Sequence, residues 1–241
     1  MKSFKAIPQT IICSLWVVVV FYIISSAPMP LAGFPEQESG LIAKRQAYNP
    51  SLAAALDTGL RDFWQKPEMV LDRLGSLEGL KIADIGCGEG YFTLRLLERV
   101  GPEGHIFAND IQREMLDALV LEIPDEYRDR ISLVLGNEDD TAIGEKVDLV
   151  FLVQVLGEIP DQPAFLKQIK RLMHEKSRLV LIDSKHITDA ETGFTRPLNL
   201  KKMADALAAE GLVFVKDYDE GDFEFLPKQF FFILELSESQ G

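Results

Sequence analysis

Apolar and polar positions along most of this chain switch between two patterns, short apolar runs of strand length and longer stretches with helical spacing. Runs of the first kind occupy 81–85, 105–108, 131–135, 147–153 and 178–182, and the helical spacing occupies 91–100, 112–121 and 162–173. Strands that are apolar on both faces and alternate with helices predict a parallel sheet covered by helices. A last helix over 200–210 stops at Gly211 and leads into an apolar run at 212–215. The final run, 229–236, is close enough in sequence to pair antiparallel with that predecessor. Upstream, 41–74 reads as helical, with breaks near Asn49-Pro50 and Lys66-Pro67.

The first strand runs directly into KIADIGCGEGYF, residues 81–92, where Gly86, Gly88 and Gly90 alternate before the next helix begins. Glycines at such a turn let the backbone bend sharply and come close to a ligand, and the turn delivers that ligand to a helix N-terminus. A dinucleotide fingerprint needs its third glycine at position 91, which is Tyr91, so the spacing argues against NAD or FAD. The second strand ends in Asn109-Asp110. An acidic side chain about 20 residues past a glycine loop sits where the ribose hydroxyls of a nucleoside arrive. Asp110 therefore serves as a ribose ligand, as the cap of the helix near Gln112, or as both.

The 241 residues suffice for one well-buried domain plus an appendage, and 47% hydrophobic residues support an ordinary core. A formal net charge of −13 without a Lys/Arg cluster disfavours nucleic acid as a partner. Cys13 and Cys87 are the only cysteines, and His105, His174 and His186 are far apart, so no metal site is expected.

Around the loop a longer resemblance appears. RDFWQKPEMVLDRLG, ADIGCGEGYFTLRLLERVGPEGHIFANDIQREML, VDLVFLVQVLGEIPD and FLPKQFFFILEL resemble, in order, a bacterial group of class I S-adenosylmethionine (SAM) dependent methyltransferases related to those of ubiquinone and menaquinone synthesis. The likeness covers roughly 61–236. It implies an α/β fold, a three-layer α/β/α Rossmann-like seven-stranded sheet that is mostly parallel with its last strand antiparallel, and SAM lying across the carboxyl ends of the first strands.

Carried over by position, the resemblance implies that Asp84, Gly86, Cys87, Gly88 and Gly90 hold the methionine part of the cofactor. It implies Asp110 and Ile111 at the ribose side, and a polar side chain from Asn137, Glu138 or Asp139 at the adenine, with Asp140 extending the same acidic run. Gln154 ends the fourth strand facing the reaction centre. The His that close relatives often carry beyond this strand is absent, which leaves Glu158 as the candidate base or orienting carboxylate. His186, after the fifth strand, is a second catalytic candidate because imidazole titrates near neutrality. Glu175-Lys176-Ser177 stands in place of a Pro-Gly-Gly turn, and Trp64 packs the helical cap or lines the acceptor pocket.

The function implied is methyl transfer from SAM to a small or lipid-like acceptor, possessing a quinone character by analogy. The alternative is a SAM-binding sensor or membrane-tethered interaction module without transfer. Residues 1–27, with Lys2 and Lys5 ahead of an apolar run, read as a signal peptide or membrane anchor, 28–40 as a linker, and 41–241 as the SAM-dependent domain. Lys44 and Arg45 on the far flank leave the side of the membrane open.

Overall fold

The structure is a computed structural model that describes residues 60–188, 195–197, 199–218, 226 and 229–237. The expectations for 1–27 and 28–40, and for the helical stretch before residue 60, lie outside the described residues. Among those residues no helix is long and apolar enough to cross a membrane.

Seven strands form one sheet: β1 (Lys81–Ile85), β2 (His105–Asp110), β3 (Ile131–Leu135), β4 (Val147–Val153), β5 (Met173–Ser184), β8 (Leu212–Asp217) and β9 (Gln229–Leu236). A separate two-stranded ribbon, β6 (His186–Thr188) and β7 (Thr195–Pro197), follows β5 in the chain. The sheet order is β3-β2-β1-β4-β5-β9-β8. Pairings among β1 to β5 are parallel, and β9 runs antiparallel to both its neighbours. The described helices are α1 (Leu60–Gln65), α2 (Pro67–Asp72), α3 (Thr93–Arg99), α4 (Arg113–Glu122), α5 (Gln162–Arg171) and α6 (Leu200–Ala209).

Alternation of side chains along each strand divides the core into two layers. Ile82, Phe151, Ile182 and Phe231 face one layer with Leu71, Leu96 and Leu119 from α2, α3 and α4. Ala83, Leu152, Leu181 and Phe230 face the other with Leu166, Ile169 and Leu207 from α5 and α6. Each such side chain buried contributes about 1.5–3 kcal/mol, so the sheet is held from both faces. The helix stops and starts have local causes. Lys66 adopts φ 47 between α1 and α2 ahead of Pro67, which breaks the helix where the Lys-Pro pair predicts. Asp161 and Asn199 cap α5 and α6 by accepting hydrogen bonds from Ala164 N and Lys202 N.

Three strands depart from their apolar runs. β2 continues through Asn109 and Asp110, and β8 extends to Asp217. β5 begins at Met173, with a register irregularity between Val147 and Leu149 that accommodates residues 174–177. The turn expected at Glu175-Lys176-Ser177 is thus drawn into the strand: Ser177 is buried, and its hydroxyl donates to Val147 O. α1 and α2 are fixed to α3 by Arg95 against Asp62 and Glu68, and by Arg99 against Glu68 and Asp72.

Candidate functional site

Because β1, β2 and β4 are parallel, their carboxyl ends open on one edge, and the residues singled out by sequence gather there. The loop after β1 turns through left-handed backbone at Gly86 (φ 70), Gly88 (φ 56) and Gly90 (φ 91). A Cβ at Gly86 would meet Val155 Cγ2 at 2.4 Å, and one at Gly90 would meet Leu119 Cδ1 at 2.3 Å. At both positions the left-handed backbone and the adjoining side chain disfavour a Cβ. At Gly88, which is half-buried, a Cβ would meet nothing within 4 Å, so the space beside its backbone is open to a ligand.

The loop is pinned by the end of β2. Asn109 O accepts from Gly86 N at 2.8 Å and from Cys87 N at 2.9 Å. Asp110 Oδ2 accepts from Gly88 N at 2.9 Å while Oδ1 accepts from Gln112 N at 2.9 Å. Asp110 is therefore not the cap of α4, whose N-cap is Gln112; it accepts from the N–H of that cap residue and orders both loops. Each carboxylate oxygen retains acceptor capacity for a hydroxyl. Burial raises the Asp110 carboxyl above the ordinary carboxylate range against the pull of the backbone N–H groups of Gln112, Gly88 and Ile111.

Asp84, buried at the end of β1, accepts from Thr93 Oγ1 at 2.6 Å. Its burial pushes the carboxyl up to about 7, opposed by the Thr93 hydrogen bond, with Asp110 raising it further. Cys87 turns into the core, its thiol 3.5 Å from Gly88 O, and burial holds it protonated well above the usual thiol range. Ile111 stands 47% exposed after Asp110, and Leu135, at the end of β3, is 44% exposed. They leave apolar surface beside the polar loop. Asn137 Oδ1 accepts from the backbone N–H groups of Asp139 and Asp140 at 2.8 and 2.9 Å, so its carbonyl organises this turn, while Glu138 and Asp139 are exposed.

Immediately after β4, Gln154 adopts φ 62, and its Nε2 donates to Ser184 Oγ at 3.2 Å. Asp183 is buried and accepts from Gly157 N and Ser184 N; burial raises its carboxyl. Glu158 ends the turn at Leu156–Glu158 and is exposed, as is His186 at the start of β6. Among the described residues no hydrogen bond joins Glu158 to His186. Trp64 is half-buried on α1.

Sequence reading missed Asn109, Thr93 and Asp183 as organisers. Asn109 Nδ2 donates to Val134 O and Thr141 O, tying β2 to β3 and to the loop beyond it. Its signal was a short polar residue next to Asp110 at the end of an apolar strand. Tyr91, which occupies the place of the third dinucleotide glycine, donates to Asp62 Oδ1 at 2.6 Å, and Arg61 Cζ lies 3.7 Å from its ring centroid. The side chain that breaks the dinucleotide spacing thus anchors α1 over the loop.

A glycine turn, a carboxylate bound to it from the next strand and apolar surface beside them stand at the carboxyl edge of a doubly wound sheet, where such sheets take their ligands. A family model described as a methyltransferase domain matches residues 76–219, and the chain belongs to that family, the SAM-dependent methyltransferases. SAM is the cofactor of the family. The demethylmenaquinone methyltransferase of Lactococcus lactis subsp. lactis (strain IL1403) is 32% identical over 128 residues, 53% of this chain and 50% of that protein. The nocamycin O-methyltransferase of Saccharothrix syringae is 28% identical over 156 residues, 64% of this chain and 56% of that protein. The chain thus spans about half the length of these curated relatives. A SAM-dependent methyltransferase from Aquifex aeolicus shares the fold, with a TM-score of 0.66 at 22% identity over 79% of this chain and 100% of that structure.

Proposed function

We propose that this chain transfers a methyl group from SAM to a small or lipid-like acceptor of quinone type. The observation that carries the reading is Gly88, which has open space beside its backbone and an N–H held by Asp110, an arrangement that supports a cradle for the methionine tail and ribose. Bound SAM supplies a methyl group already activated on a sulfonium, so the chain's residues have to orient, exclude water and, for a hydroxylated acceptor, take a proton. Asp110 accepts from the ribose hydroxyls, and Asp84 keeps the loop ordered through Thr93 and favours a cationic amino group. Ile111 and Leu135 cover the adenine, with the turn at Asn137, Glu138 and Asp139 beside it. Glu158, exposed near Asp183, is the candidate proton acceptor, and His186 the second.

The quinone-type acceptor is supported by the name of the Lactococcus relative, a demethylmenaquinone methyltransferase. Residues 1–27 are assigned to membrane targeting on their lysine-flanked apolar run, so full-length protein should sediment with membranes and protein lacking that run should not.

Isothermal titration of the full chain with SAM, S-adenosylhomocysteine and NAD tests the cofactor, with micromolar binding of the first two and none of NAD expected. Transfer of a labelled methyl group from SAM to a demethylated naphthoquinol tests the reaction. Tight SAM binding with no transfer to this or other phenolic acceptors would favour the sensor reading instead.

A further inference from the structure

Further along the carboxyl edge of the sheet, at the start of β9, two glutamine side chains are buried against each other. Gln65, the last residue of α1, is 0% exposed, and Gln229, the first residue of β9, is 2% exposed. They are 164 residues apart in the chain, and Gln65 Nε2 donates to Gln229 Oε1 at 3.2 Å. The orientation of both amides follows from Arg61. Its guanidinium can only donate, and Arg61 Nε donates to Gln65 Oε1 at 3.2 Å. Gln65 must then turn its NH2 toward Gln229, and Gln229 must answer with its oxygen. That leaves Gln229 Nε2 buried without an acceptor among the described residues. An unmet buried donor destabilises the protein by about 1–3 kcal/mol, so its retention calls for a reason.

The surroundings supply one. Gln229 pairs with Ser184 across the antiparallel β5/β9 ladder, so their side chains lie on the same face of the sheet. Ser184 Oγ also meets Gln154 at the end of β4, the strand beside β1 and its glycine loop. Gln154, Ser184, Gln229 and Gln65 therefore form a row of uncharged polar side chains leading away from the cofactor loop. Gln154 holds its place at a left-handed backbone position that a side chain rarely adopts. The side chains of the row are neutral amides and a hydroxyl, with the Arg61 guanidinium set behind Gln65 and turned to its oxygen, and such a row suits a neutral ligand oxygen.

We propose that the unpaired N–H of Gln229 is a specificity-determining donor for the methyl acceptor, receiving a carbonyl-type oxygen of a neutral, ring-bearing molecule. Gln65 is its positioning residue, holding the amide so that the nitrogen faces the ligand. This rests on the methyltransferase reading for the place of the cofactor and adds to it the chemical feature by which the acceptor is chosen. A site built around a buried donor discriminates against an analogue lacking the matching oxygen, because that analogue leaves the donor unpaired.

The test uses the full chain saturated with S-adenosylhomocysteine and two probes of the same ring system, 1,4-naphthoquinone and naphthalene, with binding read by competition calorimetry. The parent should prefer the quinone by about tenfold or more. Gln229→Met should bring that preference within about twofold with the S-adenosylhomocysteine affinity unchanged. The double variant Gln65→Met/Gln229→Met replaces both partners and leaves no orphaned amide in the pair, and it should show the same loss if the single variant folds poorly. Gln65→Met alone, which frees the Gln229 amide to rotate, should give an intermediate preference. No quinone preference in the parent, or a preference that survives in both Gln229 variants, would overturn the proposal. Failure of S-adenosylhomocysteine to bind the parent would instead strike at the cofactor reading, and the two probes would still report on Gln229 in the unliganded chain.

Discussion

The two halves of the carboxyl edge solve opposite problems with opposite materials. On the β1-β2-β3 side the polar groups are spent on the protein itself: Asn109 O holds two loop N–H groups, Asn109 Nδ2 holds two carbonyls, and both Asp110 oxygens hold backbone donors. On the β4-β5-β9 side Asp183 holds backbone donors in the same way, but the row Gln154, Ser184, Gln229 and Gln65 is uncharged, joined by longer hydrogen bonds, and one of its donors is left over among the described residues. The first half is rigid and made to present backbone to one invariant ligand. The second keeps hydrogen-bonding capacity in reserve, as a surface must when its ligand supplies the missing partner. The cofactor loop reaches the left-handed region through glycines, whereas the acceptor side reaches it with Gln154, a residue that carries a side chain.

The sharpest way to break this contrast is at Gly88. With φ 56 and open space where its Cβ would be, Gly88→Val puts a branched side chain into the ligand's approach and forces the free loop to relax by about 1–3 kcal/mol. Binding must restore the loop and accommodate the extra carbons, so S-adenosylhomocysteine affinity should fall by roughly a hundredfold in calorimetry. Affinity equal to the parent's would mean the ligand does not approach that backbone. Asp110→Ala comes next. It removes an acceptor for ligand hydroxyls and also frees Gly88 N and Gln112 N, so affinity should fall about tenfold or more and stability by about 1–3 kcal/mol. A loss of stability with unchanged affinity would reduce Asp110 to a loop tie.

How much of this was legible in the sequence differs between the halves for a physical reason. Glycine spacing, Asp84 and Asp110 act within a short stretch of chain, and 81–85, 131–135, 147–153 and 229–236 carry apolar runs that coincide with the strands. β2 and β5 outran their apolar patterns because Asn109, Asp110, Asp183 and Ser184 continue the ladder as polar residues, satisfied by loops that the pattern does not record. The Gln65–Gln229 pair was invisible, since neither residue has local spacing to mark it and the contact exists only once β9 is inserted beside β5. Asp110 stood out in the sequence as a candidate, but its bond to Gly88 N did not, because it depends on the register of β1 against β2.

A smaller effect separates the halves by pH. Asp84 rises from 3.8 to about 7 through burial, so between those values the folded chain keeps a proton that the unfolded chain has released. Stability should accordingly decline as pH rises through that window and level off above it. A cationic ligand beside Asp84 favours the ionised carboxylate, so affinity for SAM should increase with pH by up to about tenfold per unit until about pH 7. Asp84→Asn, which can still accept from Thr93, should flatten both profiles. The relative affinities of the two naphthalene probes, governed by uncharged side chains, should stay level over the same range. A SAM affinity independent of pH in the parent would show that no cation sits near Asp84.

The smallest effect concerns how a left-handed residue is held on the acceptor side. Gln154 has φ 62, a conformation that a residue with a Cβ adopts at about 1–2 kcal/mol and glycine adopts freely. Replacing it with glycine or alanine removes the same amide and the same bonds to Ser184, so the comparison isolates the backbone. Glycine also gains unfolded-state freedom, which offsets part of its advantage. Gln154→Gly should nonetheless be more stable than Gln154→Ala by about 0.5–1 kcal/mol in urea denaturation, the reverse of their order at an ordinary helix or strand position. If alanine were the more stable, the strain would be absent and the amide row would need no special backbone to hold it. If glycine is the more stable, this edge keeps a costlier residue there for its side chain, as expected where Gln154 and Ser184 continue the row toward the unpaired donor of Gln229.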